Sequence, residues 1–486
     1  MQTPSPTSNE QQDRPSRAAL VGLWLGPAWL VMTWLLPAPI GMPDPAWACT
    51  GLALLMATWW ATEAIPIPAT ALLPLVLIPA MGIDGLEPTA SNYANPIIFL
   101  FLGGFLLGIG MQRWNLHRRI ALKILRFVGH QPRRQIGGFM IATGFLSMWV
   151  SNTATAIMML PIGMSVINLL EDKDPKELKR YATALLLAIA YSASIGGIAT
   201  LIGTPPNALL VGYLSDNHGI EIGFAQWMII GLPVSIVMMI ATWWWLTRKG
   251  FDMGSGEGSA KLIRDELAKL GDISAAERRV GIIFLLAALS WMTRPLINDA
   301  GIGWLSDTTV AIIAGLVLFL LPSGSQPGVR LLDWDDVKGL PWGVLLLFGG
   351  GLALAGAIQS SGLAEWIANQ LSIFGALPLI GLIGMVVLII IFVTELTSNT
   401  ATAAAFLPLL GALAMSLDVS VLLITVPAAI AASCAFMMPV ATPPNAIVFS
   451  TGHMKIQSMI RAGFMLNIIG TLMVTLLAYS LVTLFW

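Results

Sequence analysis

Charged residues are scarce in this sequence: Asp, Glu, Lys and Arg together make up 10% of its 486 residues. Soluble domains average about 25%, and a soluble chain of this length folds into two or more domains, each with a charged surface. Hydrophobic residues instead reach 56%, and the mean hydropathy is +0.79. Apolar runs of roughly 18 residues or more, the length of a transmembrane helix, recur along the chain. The composition excludes a soluble enzyme and predicts an all-α polytopic membrane protein embedded in a lipid bilayer.

Cysteine and histidine are also scarce, with two and four residues respectively. Cys49 and Cys434 lie in apolar sequence, so neither a disulfide framework nor a Cys/His metal cluster is supported. The net charge of −1 creates no overall field, and we expect no nucleic-acid partner. The sequence lacks HExxH, GxSxG and Walker A motifs, so neither an intramembrane hydrolase nor ATP-driven transport has motif support.

Lys and Arg are distributed unevenly along the chain. All but one of the 25, Arg294, lie in six segments, which are the N-terminal tail, 113–134, 173–180, 248–279, 330–338 and 455–461. The positive-inside rule places these segments in the cytoplasm and the cation-free connections outside. The N-terminus is therefore predicted to be cytoplasmic and the C-terminus external, with residues 1–19 forming a disordered cytoplasmic tail.

Two apolar stretches are too long for one transmembrane helix. Residues 136–170 have cations at both ends and Ser-Asn-Thr at 151–153, in their middle. We expect a re-entrant hairpin that enters from the cytoplasm, with its tip at mid-membrane. Residues 377–416 repeat this pattern around Ser-Asn-Thr at 398–400, but neither end has a cation. This second hairpin should enter from outside.

Two further stretches are interrupted by paired prolines. Residues 181–214 contain Gly-Thr-Pro-Pro-Asn at 203–207, and residues 423–450 contain Ala-Thr-Pro-Pro-Asn at 441–445. Proline removes an amide donor and breaks a helix. Irregular backbone at membrane depth is tolerated only inside protein or beside an aqueous cavity. Both stretches are therefore predicted to be discontinuous helices.

The chain carries an internal duplication. SNTATA at 151–156 recurs at 398–403, and TPPNA at 204–208 recurs at 442–446. Because the two hairpins enter from opposite sides, we predict inverted-topology repeats at 20–247 and 280–486, joined by a cytoplasmic linker at 248–279. Inverted repeats whose broken helices meet at the midplane are typical of secondary transporters.

The motifs suit a carboxylate and a hard cation. Helix N-termini at a hairpin tip favour anions, whereas unwound carbonyls and side-chain oxygens favour a cation such as sodium. The simpler alternatives are interhelical hydrogen bonding by Ser-Asn-Thr and simple kinks at the prolines. Glu63 and Glu395 are intramembrane carboxylates, which are commonly functional. Glu395 adjoins the second motif and could support it, bind a cation or carry a proton.

The paired SNT and TPPN motifs, with SCAFMMP at 433–439, resemble those of the divalent-anion:sodium symporter (DASS) family, which carries dicarboxylates, citrate or sulfate. The resemblance extends from about residue 20 to the end of the chain, and it is greatest to the bacterial sodium/dicarboxylate branch. It implies about 11 transmembrane helices plus two re-entrant hairpins, and a homodimer in the bacterial inner membrane. It also implies an elevator-type movement that carries the site across the bilayer.

Matching positions in the family imply the site residues. One sodium site would use Ser147, Ser151, Asn152 and Gly203, and the second would use Thr394, Ser398, Asn399 and Ala441. The resemblance implies a substrate site formed by Asn152, Thr153, Thr204, Pro205, Asn399, Thr400, Thr442 and Pro443. No Lys or Arg lies near either motif, so co-bound sodium would have to neutralise the substrate.

We therefore expect sodium-coupled symport of C4-dicarboxylates (succinate, malate or fumarate) rather than an enzymatic reaction. A sodium-independent dicarboxylate exchanger is the first alternative, and citrate or sulfate are alternative substrates. An intramembrane enzyme or a channel is a distant third hypothesis. The sequence has no paired nucleophile and base for an enzyme, and a channel should show conductance rather than saturable uptake.

Overall fold

The computed structural model describes residues 16–129, 131–170, 174–252, 257–299, 301, 303–371 and 378–486. Most of the tail predicted at 1–19 and parts of the linker and of the second hairpin therefore lie outside the described residues. Within them the regular structure is helical, and the one β-bridge joins Pro322 and Arg330. The expectation of an all-helical chain is confirmed.

The helices of the first half extend from Arg17 to Thr247. They are α1 (Arg17–Leu35), α2 (Asp44–Thr62), α3 (Ile67–Thr70), α4 (Leu73–Ala80), α5 (Leu86–Ser91), α6 (Pro96–Arg113), α7 (Leu116–Val128), α8 (Pro132–Ser147), α9 (Asn152–Asn168), α10 (Pro175–Gly197), α11 (Pro205–His218) and α12 (Phe224–Thr247), with a 3-10 turn at Asn92–Ala94. The linker between the halves contains α13 (Glu257–Lys269).

The second half repeats the succession of a helical hairpin, a broken helix and a long helix. Its helices are α14 (Ala275–Asp299), α15 (Asp307–Leu320), α16 (Trp342–Ser360), α17 (Leu363–Leu371), α18 (Leu379–Thr394), α19 (Asn399–Ser416), α20 (Val421–Ala432), α21 (Pro443–Phe449) and α22 (Ile456–Phe485), with a 3-10 turn at Trp334–Gly339. The hairpins are α8–α9 and α18–α19, and the broken helices are α10–α11 and α20–α21.

Several helices are suited to a bilayer. Seven helices within the described residues are long and apolar enough to span one: Arg17–Leu35, Leu86–Arg113, Phe224–Thr247, Ala275–Asn298, Trp342–Ser360, Asn399–Ser416 and Ile456–Phe485. Helix α14 exposes Leu285, Leu286 and Leu289 on its surface. Large apolar surfaces of this kind require a lipid or protein partner. These helices agree with the prediction of a polytopic membrane protein.

Helix α7 differs from the long apolar helices. It buries Leu122 and Leu125 while Lys123 and Arg126 are exposed. It packs against α8 and against α13 of the linker. This two-faced character agrees with a helix that lies along a membrane surface, and it brings the linker close to the first hairpin.

Each broken helix packs against the hairpin of its own half. Helix α10 packs on α8 and α9, and α20 packs on α18 and α19. The prolines do not lie inside the breaks: Pro205 and Pro443 begin the second half-helices, where the missing amide costs no intrahelical bond. The irregular segments therefore precede the prolines, at 198–204 and 433–442.

Candidate functional site

The tip of the first hairpin is a short turn between α8 and α9. Ser151 is the N-cap of α9, and its hydroxyl accepts a hydrogen bond from the backbone amide of Ala154 at 3.3 Å. Serine is favoured here because it supplies an acceptor to an otherwise unpaired amide. The predicted residues Asn152 and Thr153 consequently form the first turn of α9, where both are half-buried.

Three oxygen atoms meet beside this tip. The hydroxyl of Ser147 lies 2.5 Å from Asn152 Oδ1 and 2.6 Å from the carbonyl oxygen of Ala193. A hydroxyl has one proton, so it serves one of these acceptors fully and not both. Hydroxyl, amide and carbonyl oxygens at such spacing are the ligand types that a hard cation takes.

The break of the first broken helix lies against the same oxygens. A Cβ atom added at Gly197 would lie 2.9 Å from both Asn152 Oδ1 and Gly203 O. Of the predicted sodium residues, Ser147, Asn152 and Gly203 are therefore brought together, while the hydroxyl of Ser151 caps α9. Glycine at 197 and 203 allows this approach, because either side chain would occupy the space of the other backbone.

Asn207 organises the first break. Its side-chain amide donates to the carbonyl oxygens of Thr200 at 2.8 Å, Ile198 at 3.2 Å and Gly197 at 3.3 Å. Thr200 in turn donates its hydroxyl to the carbonyl of Met148 at 2.6 Å. This bond ties the break to the hairpin tip. The asparagine of the TPPN motif thus acts as a clamp for unwound carbonyls, a role that was not predicted.

The second half repeats this arrangement. Thr394 Oγ1 lies 2.8 Å from Asn399 Oδ1 and 3.0 Å from the carbonyl oxygen of Ala432. Asn445 donates to the carbonyls of Met438 at 3.1 Å and Ala435 at 3.2 Å. Each half therefore has a hydroxyl facing an asparagine oxygen and a carbonyl, beside a break that a second asparagine holds.

Glu395 makes the two halves unequal. This residue is 3% exposed, and its carboxylate accepts hydrogen bonds from the backbone amides of Phe436, Met437 and Met438 at 2.6 to 3.0 Å. The side-chain amide of Asn467 donates a fourth bond at 2.8 Å. A buried carboxylate with several N–H donors is a strong, charge-assisted link. The sequence marks Glu395 as an intramembrane carboxylate, but these partners lie too far along the chain to be predicted.

A cavity of about 820 Å³ borders the second tip and the second break. Its lining includes Ser398, Asn399, Ala441, Thr442 and Pro443 from the predicted site. This volume is within the usual range for a small-molecule site, about 300–1,000 Å³. The second half therefore presents predicted sodium and substrate residues on one cavity.

The remaining predicted substrate residues do not line this cavity. Thr400 is buried behind the tip, and Thr204 is buried at the first break. Asn152, Thr153 and Pro205 lie around the first tip and break, outside the lining. The two breaks nevertheless touch, because Thr204 Oγ1 lies 3.3 Å from Ser433 Oγ.

The cavity provides no cationic side chain for an anion. Within the described part of the chain, the one charged side chain of its lining is Glu63. Glu63 caps the end of α2 in a left-handed conformation, with φ at 49°. The N-termini of α19, at Ser398 and Asn399, and of α21, at Thr442 and Pro443, are positive features at the cavity wall.

The chain is similar to known transport proteins. The family described as the sodium:sulfate symporter transmembrane region matches residues 18–486. A sodium-dependent dicarboxylate transporter, SdcS, of Staphylococcus saprophyticus is 45% identical, over 98% of this chain and 94% of that protein. SdcS of Staphylococcus aureus strain USA300 is 44% identical, over 97% and 93%. The crystal structure of the Alcanivorax borkumensis YdaH transporter is similar in fold, with a TM-score of 0.53 and 12% identity over 97% of this chain and 99% of that chain.

Proposed function

This chain belongs to the sodium:sulfate symporter family, and from that premise we propose that it carries C4-dicarboxylates into the cell together with sodium ions. The substrates would be succinate, malate or fumarate. The names of the two staphylococcal relatives support this class of substrate. The single observation that carries the proposal is the repeated cluster in which a hydroxyl faces an asparagine oxygen and a carbonyl.

Two sodium ions would bind at equivalent places in the two halves. The first site would consist of Ser147, Ser151, Asn152 and Gly203, and the second of Thr394, Ser398, Asn399 and Ala441. The close approach of Ser147 to Asn152 supports the first site, and that of Thr394 to Asn399 supports the second. A cation among these oxygens would bind all of them at once, which the single hydroxyl proton cannot do.

The dicarboxylate would bind between the two hairpin tips. One carboxylate would contact Asn152 and Thr153, and the other would contact Asn399 and Thr400. The substrate pocket would be completed by Thr204, Pro205, Thr442 and Pro443. The cavity beside Asn399, Thr442 and Pro443 supports the second half of this site. Binding by both tips requires them to close on the substrate together.

Charge sets the order of binding. A dicarboxylate brings two negative charges to a cavity whose charged lining residue within the described chain is Glu63. A charge at the membrane centre costs about 2.5–3.5 kcal/mol on insertion scales. Sodium would therefore bind first, neutralise the cavity and create the site for the anion. Raising the sodium concentration should then increase the apparent affinity of the transporter for the dicarboxylate.

The architecture proposed for transport follows the repeated elements. About 11 transmembrane helices and two re-entrant hairpins would form inverted repeats at 20–247 and 280–486, joined by the linker at 248–279. The hairpins 136–170 and 377–416 and the broken helices 181–214 and 423–450 would move across the bacterial inner membrane as an elevator. The partner would be a second copy, and the N-terminus would be cytoplasmic with the C-terminus outside.

The test is radiolabelled succinate uptake into proteoliposomes with an inward sodium gradient, or with potassium in its place. Uptake that requires sodium supports symport, and competition by unlabelled malate, fumarate, citrate and sulfate then ranks the substrates. Equal uptake under both gradients, with a requirement for internal dicarboxylate, would replace symport by exchange. Current without saturable uptake would indicate a channel.

Two substitutions test whether the two oxygen clusters bind sodium. Asn152→Ala and Asn399→Ala should each abolish sodium-dependent uptake and the stabilisation of the purified protein by sodium. Ser165→Ala is the matched control, because Ser165 is on α9 and donates only within its own helix, to Pro161 O at 2.8 Å. Normal sodium dependence in both asparagine variants would contradict the proposed sites.

A further inference from the structure

A cationic cleft of about 500 Å³ lies at the end of the protein that carries the predicted cytoplasmic segments. Its wall is built from the first turns of α10, the end of α12 and the start of α22. Six lining residues are cations: Lys176, Lys179, Arg180, Arg248, Lys249 and Arg461. No acidic side chain lines the cleft within the described residues. The cleft is distinct from the proposed substrate cavity, which shares none of these residues.

Most of these cations lack a counter-charge. Arg180 pairs with Glu177 and donates to Gly250 O at 2.6 Å, and Arg248 lies over the ring of Trp245. The other four form no ion pair with any described residue: Lys176, Lys179, Lys249 and Arg461. These four side chains are exposed. Like charges gathered around one cleft repel one another, so an anion between them would be bound favourably.

The cleft also has an apolar wall. It includes Ala184, Leu187, Trp245, Leu246 and Ala462, on the same helices as the cations. Leu187 lies further along α10 than the cations do, in the direction of the apolar part of the helix. A soluble anion would use the cations and leave this wall in water. A ligand with an anionic head and an apolar tail uses both.

We propose that the cationic cleft binds an anionic phospholipid of the cytoplasmic leaflet. The phosphate would lie among Lys179, Lys249 and Arg461, with an acyl chain against Leu187 and Leu246. Basic pockets between transmembrane helices on the cytoplasmic side suit phosphate headgroups, and tryptophan is favoured at the level of the headgroups. This assignment does not depend on which substrate the protein carries.

The bound lipid would connect three elements that also meet at the functional site. Helix α10 leads into the first break, and α22 carries Asn467, which binds Glu395. Helix α12 packs against both α10 and α22. A phosphate shared by the ends of these helices would neutralise their mutual repulsion. Anionic lipid should therefore stabilise the purified protein, whereas zwitterionic lipid should not.

The experiment compares ligands and variants of the full-length protein in detergent. The ligands are short-chain phosphatidylglycerol, phosphatidylcholine with the same chains, and glycerol phosphate without chains. The cleft variant is Lys179→Gln/Lys249→Gln/Arg461→Gln. The control Lys123→Gln/Arg126→Gln/Lys261→Gln removes the same charge from exposed residues outside the cleft. Binding is read from the thermal midpoint as a function of ligand concentration and from the phospholipid phosphorus that is retained on purification.

Phosphatidylglycerol alone should stabilise the wild type and the control. Each cation near an anionic lipid strengthens binding roughly fivefold, so the cleft variant should bind about a hundredfold more weakly. The variant Lys179→Arg/Lys249→Arg keeps the charge and should bind phosphatidylglycerol as the wild type does. Equal losses in the cleft and control variants would overturn the proposal in favour of general surface charge. Equal stabilisation by glycerol phosphate would overturn the lipid assignment in favour of a soluble anion.

Discussion

The carboxylate of Glu395 accepts a hydrogen bond from the side-chain amide of Asn467, with 2.8 Å between Oε1 and Nδ2. Glu395 lies at the end of α18 and Asn467 lies on α22. The same carboxylate holds the amides of the second break, from Phe436 to Met438. The hairpin tip, the break and the last helix are therefore joined at one side chain.

The first half achieves the same link without a charge. Met148 is placed three residues before its Ser-Asn-Thr motif, as Glu395 is before the second. There the carbonyl of Met148 accepts the hydroxyl of Thr200 at 2.6 Å. A neutral bond of this kind is weaker than each charge-assisted bond to the carboxylate. The second break should accordingly be held more firmly than the first.

Glu395→Gln should weaken sodium coupling. The glutamine amide would turn an N–H donor towards backbone amides that need an acceptor, which costs roughly 1.5–3 kcal/mol at a buried charged site. We expect a lower unfolding temperature and a half-saturating sodium concentration raised about tenfold, with transport of succinate at saturating sodium less affected. Labelling of Cys49 and Cys434, both buried, reports unfolding. Glu365→Gln, at an exposed position, is the control, and a normal sodium response in Glu395→Gln would contradict this role.

The hydroxyl at each cluster should be essential, and its methyl group should not. Thr394→Val removes the oxygen that faces Asn399 and Ala432 while keeping the shape of the side chain. Thr394→Ser keeps the oxygen, and the first half has a serine, Ser147, at the equivalent place. Loss of a ligand to a charge is worth roughly 1.5–3 kcal/mol. The half-saturating sodium concentration should thus rise at least tenfold in Thr394→Val and little in Thr394→Ser. Equal behaviour of the two variants would remove Thr394 from the sodium site.

Gly203→Ala should disrupt the first cluster through its backbone. A Cβ atom at residue 203 would overlap the carbonyl of Gly197 and lie 2.8 Å from Gly197 Cα. Overpacking of this kind costs about 1–3 kcal/mol, and it would separate the break from Asn152. We expect loss of stabilisation by sodium and of uptake. Gly356→Ala, where an added Cβ meets nothing within 4 Å, is the matched control. Intact sodium binding in Gly203→Ala would show that the carbonyl of Gly203 is not a ligand.

The sequence predicts the all-helical membrane-protein class and the family well, because both depend on patterns that are local in the chain. The inverted repeats, the number of transmembrane helices and their orientation stay predictions. The resemblance to divalent-anion:sodium symporters is confirmed by the family match. Ser151 and Ser398 mark the helix starts at Asn152 and Asn399 because serine is a preferred N-cap. The sodium and substrate roles of these residues stay predictions.

Other features could not be read from the sequence for physical reasons. The bonds of Glu395 join residues 41 to 72 positions apart, and such partners are chosen by tertiary packing. The paired motifs are nearly identical, so nothing in them indicates that the cavity borders the second tip and not the first. The position of the cavity beside the second tip depends on how the helices pack around it, and not on the residues of the two motifs. The position of Glu63 on the cavity wall likewise depends on how α2 packs.

The linker between the halves should depend on one buried ion pair. Arg119 of α7 is 6% exposed, binds Glu277 at 2.8 Å and donates to the carbonyls of Leu270, Gly271 and Asp272. Arg119→Gln would leave Glu277 and these carbonyls without their donor, and the loss of one partner of a buried pair costs about 3–5 kcal/mol.

The neighbouring Arg118 provides the comparison for Arg119. Its bond to Glu266 is slightly shorter, at 2.6 Å, but its side chain is 39% exposed. A partly exposed pair contributes at most about 1 kcal/mol, so Arg118→Gln should unfold almost as the wild type does, whereas Arg119→Gln should unfold at a clearly lower temperature. Both changes remove one charge from adjacent positions of α7. A difference in unfolding temperature between them would therefore be due to the burial of Arg119. If both variants lowered the unfolding temperature equally, the stability of the linker would depend on the total charge of α7. The buried contacts of Arg119 would then contribute no more than those of Arg118.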